Sequence, residues 1–322
     1  MSLKISVYIT SYNQKKYLEE AIESVLQQTL APHQIIIVDD CSTDGSQELI
    51  ASYAKKYFPL ITPIYHNQNQ GVARTRIDAL KAVTGDYVTY VDGDDRFLPT
   101  KLEQEAKLLV DNPEAKIAFS NYYITQEDGT QIGVWIEEEK PPQGYIFSCI
   151  FGRDLPQGTH FRSELVDYHA WKQIGFYDPQ LSLYEDDEMR MRLTKHLKVV
   201  YFDEPLSEYR HVKDGLSRVS AAKYLAALEY IYKKNLSLLD DLDLQERNYL
   251  KHKARSLLAQ IAIWSVIESL EESQASIWSR AKALKYFYLS LMYKHHYSNY
   301  FLLLKIMMPN TIYSWCKSIY QS

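Results

Sequence analysis

The sequence predicts an α/β fold, a mostly parallel sheet with helices on both faces, followed by a helical C-terminal region. Three observations carry that expectation. Apolar, β-branched runs alternate with helix-length amphipathic segments through residue 91. Two of those runs stop abruptly in aspartates, IIIVDD at 35–40 and YVTYVDGDD at 87–95. From about residue 220 the alternation gives way to nearly continuous helical spacing, which divides the chain into 1–219 and 220–322.

Length and composition fit that outline. With 322 residues, 46% of them hydrophobic, the chain can build one large α/β domain and a smaller unit beside it. A formal net charge of −5 gives no overall electrostatic footprint for nucleic acid. Cys41, Cys149 and Cys316 are odd in number, far apart and in no CxxC pair, so neither a disulfide framework nor a zinc site is expected and a reducing cytoplasm fits best. MSLKISVYIT enters strand-like alternation without a basic, then apolar, leader, so no signal peptide is expected. No apolar run approaches the roughly 18 residues of a transmembrane helix, so any membrane contact is expected to be peripheral.

Taken in order, residues 5–10 read as a strand, SYNQ as a turn, and 16–28 as a helix with Leu18, Ile22, Val25 and Leu26 on one face. A second strand at 34–38 ends in Asp39 and Asp40, and CSTDGS can cap a helix over 46–56. A strand at 60–66, the loop NQNQG, a helix at 72–83 and a strand at 87–91 follow, the last ending in Asp92, Gly93, Asp94 and Asp95. One acidic turn is an ordinary solvated feature. Two at the same edge of an open α/β sheet define a binding crevice, because ligands there sit beyond the carboxyl ends of the strands. Hard oxygen ligands suit Mg2+ or Mn2+ holding a phosphate, and Gly93 lets the backbone turn so that its neighbours converge. An EF-hand fails, since Arg96 and Phe97 stand where a ligand and a glycine belong. The first turn is TSYNQ rather than GxGxxG, and there is no GxxxxGK[ST], so a diphosphate must be held by metal and carboxylate.

The ordered set SVYITSYNQKKYLEEAIESVLQQT, IIIVDDCSTDGS, NQGVARTR, GDYVTYVDGDD and LYEDDEMRMRL resembles the family-2 glycosyltransferases, which have the GT-A fold and use nucleotide-diphosphate sugars; the resemblance covers residues 4–212. It implies nucleoside contacts from Thr10, Tyr12 and Asp40, with Asp39 beside them, and a carboxylate there can accept the N3–H of uracil. It implies that Asp94 foremost, with Asp92 and Asp95, holds Mn2+ or Mg2+ and the diphosphate. Where the family often has Ala-Arg-Asn, this chain has Thr75, Arg76 and Ile77; Arg76 matches a phosphate contact that Arg74 can share, and the Asn is missing. In YEDDEMRMRL the acids also suit a helix N-terminus, so capping alone is the alternative to a catalytic role. The resemblance makes Asp186 the general base of an inverting reaction, with Glu185 orienting the acceptor and Asp187 the second candidate. It also implies His211, in PLSEYRH, as a further metal or diphosphate ligand, with Arg210 and Lys213 folding over the donor.

Elsewhere the sequence says less. Residues 117–123 read as a strand, 126–133 as a polar turn, 134–136 as a short apolar piece, EEEKPPQG as a solvated loop, and 199–202 as a short strand. His160 and His169 lie in a segment where the resemblance implies a strand and then a short helix, and a packed or surface position is expected for each ahead of acceptor contact. Helical spacing runs over 222–239, 244–269, 277–294 and 297–308. No acid occurs in 280–322, where Arg280, Lys282, Lys285, Lys294, Lys305 and Lys317 are interleaved with aromatics. That pattern suits an anionic lipid surface, and helix packing or homo-oligomerisation explains the same faces.

The expected function is a metal-dependent, inverting glycosyltransferase moving a hexose or N-acetylhexosamine from a UDP-sugar to a hydroxyl of a glycan, lipid-linked or protein-linked acceptor. It is expected in the cytoplasm or at the inner membrane surface, with no nucleic-acid partner. A catalytically silent nucleotide-sugar-binding scaffold is the alternative on the same fold. A nucleotidyltransferase is disfavoured by the lack of a glycine-rich basic N-terminal loop.

Overall fold

Every residue of strand β1 (Ile5–Ser11) is buried, as expected for a strand covered on both faces. The computed structural model describes residues 3–212, 219–271, 277–293 and 306. Alternation sends Ile5, Val7 and Ile9 into one apolar cluster with Leu18, Ile22 and Val25 of α1 (Lys15–Leu26). Those three helical positions recur at the spacing that puts them on one face. On the other face, the Tyr8 ring stacks on Tyr90 with centroids 5.5 Å apart. The alternation then continues through β2 (Gln34–Asp39), α2 (Ser46–Lys56), β3 (Ile61–Tyr65), α3 (Val72–Lys81) and β4 (Tyr87–Asp92). Next come β5 (Arg96–Phe97), α4 (Lys101–Asp111), β6 (Ala115–Thr125), β7 (Gln131–Val134) and α5 (Phe147–Gly152). The unit closes with β8 (Leu165–Asp167), α6 (Tyr168–Ile174), α7 (Glu185–His196) and β9 (Lys198–Arg210).

The described residues form a nine-stranded sheet in the order β3-β2-β1-β4-β8-β6-β9-β5, with β7 paired to β6. The expected α/β sheet with surrounding helices is present, and β3, β2, β1 and β4 are mutually parallel. Beyond β4, β8 runs antiparallel to both β4 and β6, while β9 lies parallel to β6. Pro63 sits in β3 at the end of this order, where its missing N–H costs no ladder bond on the open side.

The chain moves outward from β1 to β2 to β3, then crosses back to place β4 on the other side of β1. That reversal is the switch point at which open α/β sheets leave a crevice beyond their carboxyl ends. Register brings Thr10 of β1 level with Asp92 of β4. Immediately after it, a Cβ on Gly93 would lie 2.8 Å from the Thr10 carbonyl oxygen and 2.6 Å from Gln14 Oε1. Only glycine lets the acidic turn lie this close to β1. Gly93→Ala is therefore expected to cost about 1–3 kcal/mol through overpacking. A urea-midpoint unchanged from wild type would show that the turn yields freely.

The strand expected at 199–202 is much longer, because β9 keeps pairing with β6 through two register shifts that absorb the Asp203–Pro205 stretch and then pairs with β5. Part of the expected polar turn at 126–133 forms β7, which hairpins onto β6.

The chain divides into two compact units, Met1–Gly215 and Leu216–Ser322. In the second, α8 (Ala221–Lys234), α9 (Leu244–Glu271) and α10 (Ile277–Tyr293) bury Leu225, Leu228, Ile261, Val266 and Phe287. The carboxylate of Glu268 on α9 accepts the Ala221 N–H at the start of α8, 2.8 Å away. Trp264, Leu284, Tyr288 and Met292 are exposed. Among the described residues no helix is long and apolar enough to cross a membrane. The helical piece at 297–308, apart from residue 306, lies outside the described residues, as do Lys213, Lys294, Lys305 and Lys317.

Candidate functional site

Four elements meet at the switch point. From the end of β1, Thr10 Oγ1 donates to Asp92 Oδ1 at 2.9 Å. From α3, Arg76 Nη2 donates to both oxygens of Asp92 at 2.9 and 3.1 Å, and Arg76 Nε faces Glu185 Oε1 of α7 at 3.2 Å. The Tyr90 and Tyr177 rings flank the guanidinium, 4.3 and 5.7 Å from its carbon, and Nη1 is buried without a hydrogen-bond partner. Burial works against the Arg76 charge, but Asp92 and the tyrosines outweigh it and hold the group protonated.

Glu185 and Asp186 differ although they are adjacent. Burial pushes the Glu185 carboxyl up to about 7, with Arg76 opposing and Asp186 adding to the shift. Asp186 keeps 24% of its side chain exposed. Its Oδ2 accepts from Arg190 Nη1 at 2.7 Å and its Oδ1 from the Asp187 N–H at 3.0 Å. Burial alone would raise Asp186, yet Arg190, with Arg76 and Arg162 behind it, holds it below the usual carboxylate range. Arg190 is fixed in turn by both Glu164 oxygens at 3.2 Å and by the Tyr90 hydroxyl at 2.9 Å. Asp187 turns elsewhere, to Arg153 and to His160 Nδ1, the latter at 2.5 Å. Burial opposes its charge, and Arg153 foremost, with the His160 contact, outweighs burial and holds it well below the usual range.

At the acidic turn, Asp95 Oδ1 accepts the Arg210 N–H at 2.8 Å, and burial with the Asp94 charge raises its carboxyl. Asp94 is half-buried, and burial together with Asp92 pushes it up to about 6. With Arg76 spent on Asp92, Asp94 feels only the longer-range charges of Arg162 and Arg210.

The other sequence-predicted residues lie outside this network. Asp40 accepts the N–H groups of Gln70 and Gly71, each at 2.8 Å, and His66 Nδ1 at 2.7 Å, so it anchors the NQNQG loop. Asp39 accepts from the Ser42 N–H and hydroxyl and from Gln47 Nε2, tying down the turn after β2. Tyr12 is 49% exposed. His211 is exposed, with its N–H on the Thr125 carbonyl and its ring edge-on to Tyr209.

Among the described residues, no three of His, Cys, Asp and Glu gather into a metal-holding group. Asp94 with one neighbour nevertheless fits Mg2+ or Mn2+, which are commonly held by one or two carboxylates plus substrate phosphates and water. A carboxyl raised by burial and by a like charge is the condition that a cation relieves.

Arg190, Glu164, Tyr90 and Arg162 were not identified by sequence reasoning. Asp186 and Arg190 stand four apart, the helical spacing for an ion pair, which is a usable signal. Arg162 left none, since no periodicity or motif surrounds it.

The parallel half of the sheet carries its acidic turn at the switch point, and Arg76 joins that turn to the carboxylate pair that opens α7. Residues 6–163 match the family model described as glycosyl transferase family 2, which makes that stretch a family-2 glycosyltransferase domain. TuaG of Bacillus subtilis (strain 168), a proposed teichuronic acid biosynthesis glycosyltransferase, is 29% identical over 214 residues, 66% of this chain and 81% of that protein. S. aureus TarS in complex with UDP-GlcNAc aligns with a TM-score of 0.61 at 17% identity, covering 90% of this chain and 91% of that one. The mannosyltransferase PcManGT from Pyrobaculum calidifontis, in complex with GDP-Man and Mn2+, aligns with a TM-score of 0.56 at 14% identity, covering 95% and 86%. These two structures share the fold.

Proposed function

We propose that this glycosyltransferase moves a hexose or N-acetylhexosamine from a UDP-sugar to a hydroxyl of a glycan, lipid-linked or protein-linked acceptor, with inversion at the anomeric carbon. The observation that carries the proposal is the convergence of Thr10, Arg76, Asp92 and Glu185 beside a partly exposed, ionised Asp186. Asp186 takes the acceptor hydroxyl proton while that oxygen bonds to the anomeric carbon, and the bond from that carbon to the nucleoside diphosphate breaks on the opposite face. Asp187 is committed to Arg153 and His160, which favours Asp186 as the base. Arg76 fixes Asp92 and Glu185 relative to each other, so the acidic turn and the start of α7 are held in one geometry.

Mn2+ or Mg2+, held by Asp94 with Asp92, would supply positive charge for the departing diphosphate. Thr10, Tyr12, Asp39 and Asp40 line the nucleoside end in this proposal, and His211 joins the diphosphate end. UDP-GlcNAc in TarS and GDP-Man in PcManGT support a nucleotide-sugar donor and leave its base to experiment. Residues 1–219 carry the chemistry; 220–322 serve packing, homo-oligomerisation or peripheral contact with the inner membrane surface of the cytoplasm.

Thermal-shift screening of the purified protein with UDP-, GDP-, CMP- and dTDP-sugars, each with and without Mn2+, tests this directly. A ligand of the folded state raises apparent stability by mass action. One nucleotide class is expected to give a manganese-dependent shift, and Asp94→Asn is expected to abolish its metal dependence. An equal shift in Asp94→Asn removes the metal assignment. Donor binding without transfer or donor hydrolysis, unchanged by Asp186→Asn, would establish the silent scaffold instead.

A further inference from the structure

Among the described arginines around the acidic turn, Arg162 is the one that pairs with no carboxylate. Arg76 pairs with Asp92 and Glu185, although its Nη1 meets no acceptor, Arg190 pairs with Asp186 and Glu164, and Arg210 with Glu20. Arg162, among the described residues, has neither an ion pair nor a hydrogen bond. Its guanidinium carbon lies 3.7 Å from the centre of the Tyr209 ring, a stack that fixes the plane of the fork. The residue is half-buried between Phe161, fully buried, and Ser163, whose backbone is left-handed with φ 53°. Burial acts against its charge, while Tyr209, Tyr122 and Asp95 outweigh that and hold it protonated. Its charge opposes the rise that burial imposes on Asp94 and Asp95 and adds to the lowering of Asp186, so it lies within electrostatic reach of both the acidic turn and the start of α7. A half-buried guanidinium whose N–H donors no described protein group accepts can receive an anion brought by substrate.

We propose that Arg162 receives a phosphoryl oxyanion of the substrate and so restricts the site to phosphate-bearing substrates. The inference rests on the nucleotide-sugar function proposed above. The phosphoryl group has two sources. In the donor it is the phosphate whose oxygen gains charge as its bond to the anomeric carbon breaks, and Arg162 stabilises that leaving oxygen. On the acceptor it is a phosphate near the attacking hydroxyl, and Arg162 selects anionic acceptors.

Calorimetric titration of full-length wild type, Arg162→Met and Arg162→Lys tests the proposal, with UDP, GDP, CDP and dTDP and the matching nucleosides, in Mn2+. The diphosphate that binds wild type is expected to bind Arg162→Met about 10- to 100-fold more weakly, while its nucleoside binds both equally. Unaltered nucleoside binding also shows that the variant is folded. Arg162→Lys keeps the charge and loses the planar fork, so it is expected to fall between the two, and it stands alone if Arg162→Met does not fold. If diphosphate affinity does not change, the diphosphate-loaded proteins are titrated with inorganic phosphate. Phosphate binding seen in wild type and absent in Arg162→Met assigns the group to the acceptor. Equal phosphate binding, or none in either protein, overturns the proposal and leaves the nucleotide-sugar function standing. A wild type that binds none of the four diphosphates removes both.

Discussion

Asp186→Asn is expected to lower sugar transfer by about 100- to 10,000-fold, the usual contribution of a positioned general base, with donor affinity unchanged. The amide keeps the shape of the carboxylate and can still accept from Arg190 through its oxygen, but it cannot hold the acceptor's proton. Arg190 remains anchored by Glu164 and the Tyr90 hydroxyl, so the variant should fold. Single-turnover transfer and donor titration on the same preparation separate the two quantities. Transfer within a few-fold of wild type would exclude Asp186 as the base. Parallel loss of donor binding would show that the residue holds the site together rather than moving a proton.

Arg190→Met is expected to give the largest loss of stability, about 3–5 kcal/mol, as when one partner of a buried ion pair is removed. The cost comes from what stays behind: Glu164 is 1% exposed and would lose its ion-pair partner, keeping only the longer-range charge of Lys101. Asp186 would lose the charge that holds it ionised, so activity falls with stability. Urea unfolding followed by tryptophan fluorescence measures the first effect. A change below about 1 kcal/mol, the range of exposed ion pairs, would mean that water reaches this cluster. The double variant Glu164→Gln with Arg190→Met should recover part of the loss, because it removes the stranded charge as well.

Much of this arrangement was legible in the chain because it follows from local chemistry. Strand–helix alternation, the Leu18–Ile22–Val25 face and the acidic stops of β2 and β4 are short-range patterns. Asp92, Arg76 and Glu185 were identified separately, and the fold brings them into direct contact. What stayed hidden is pairing between distant residues. Nothing local in Asp187 says that it serves Arg153 and His160 while Asp186 serves Arg190. Nothing local in Asp40 says that its oxygens are filled by the backbone of Gln70 and Gly71. The 13-residue length of β9 was masked by Asp203, Glu204 and Pro205, residues poor in strand propensity that a register shift accommodates.

The crossing back from β3 to β4 bears on how the enzyme comes into being. Thr10 meets Asp92 across 82 positions, Arg190 meets Tyr90 across 100, and Arg210 meets Glu20 across 190. Contacts that span so much chain form late, since loop closure must come before their reward. A ribosome-bound chain that has released only β1 to β4 and the acidic turn after it lacks the proposed base on α7 and the β9 backbone that ties down Asp95. Catalytic competence therefore arrives near the end of folding of the first unit, and an unfinished molecule has no means of spending an activated sugar.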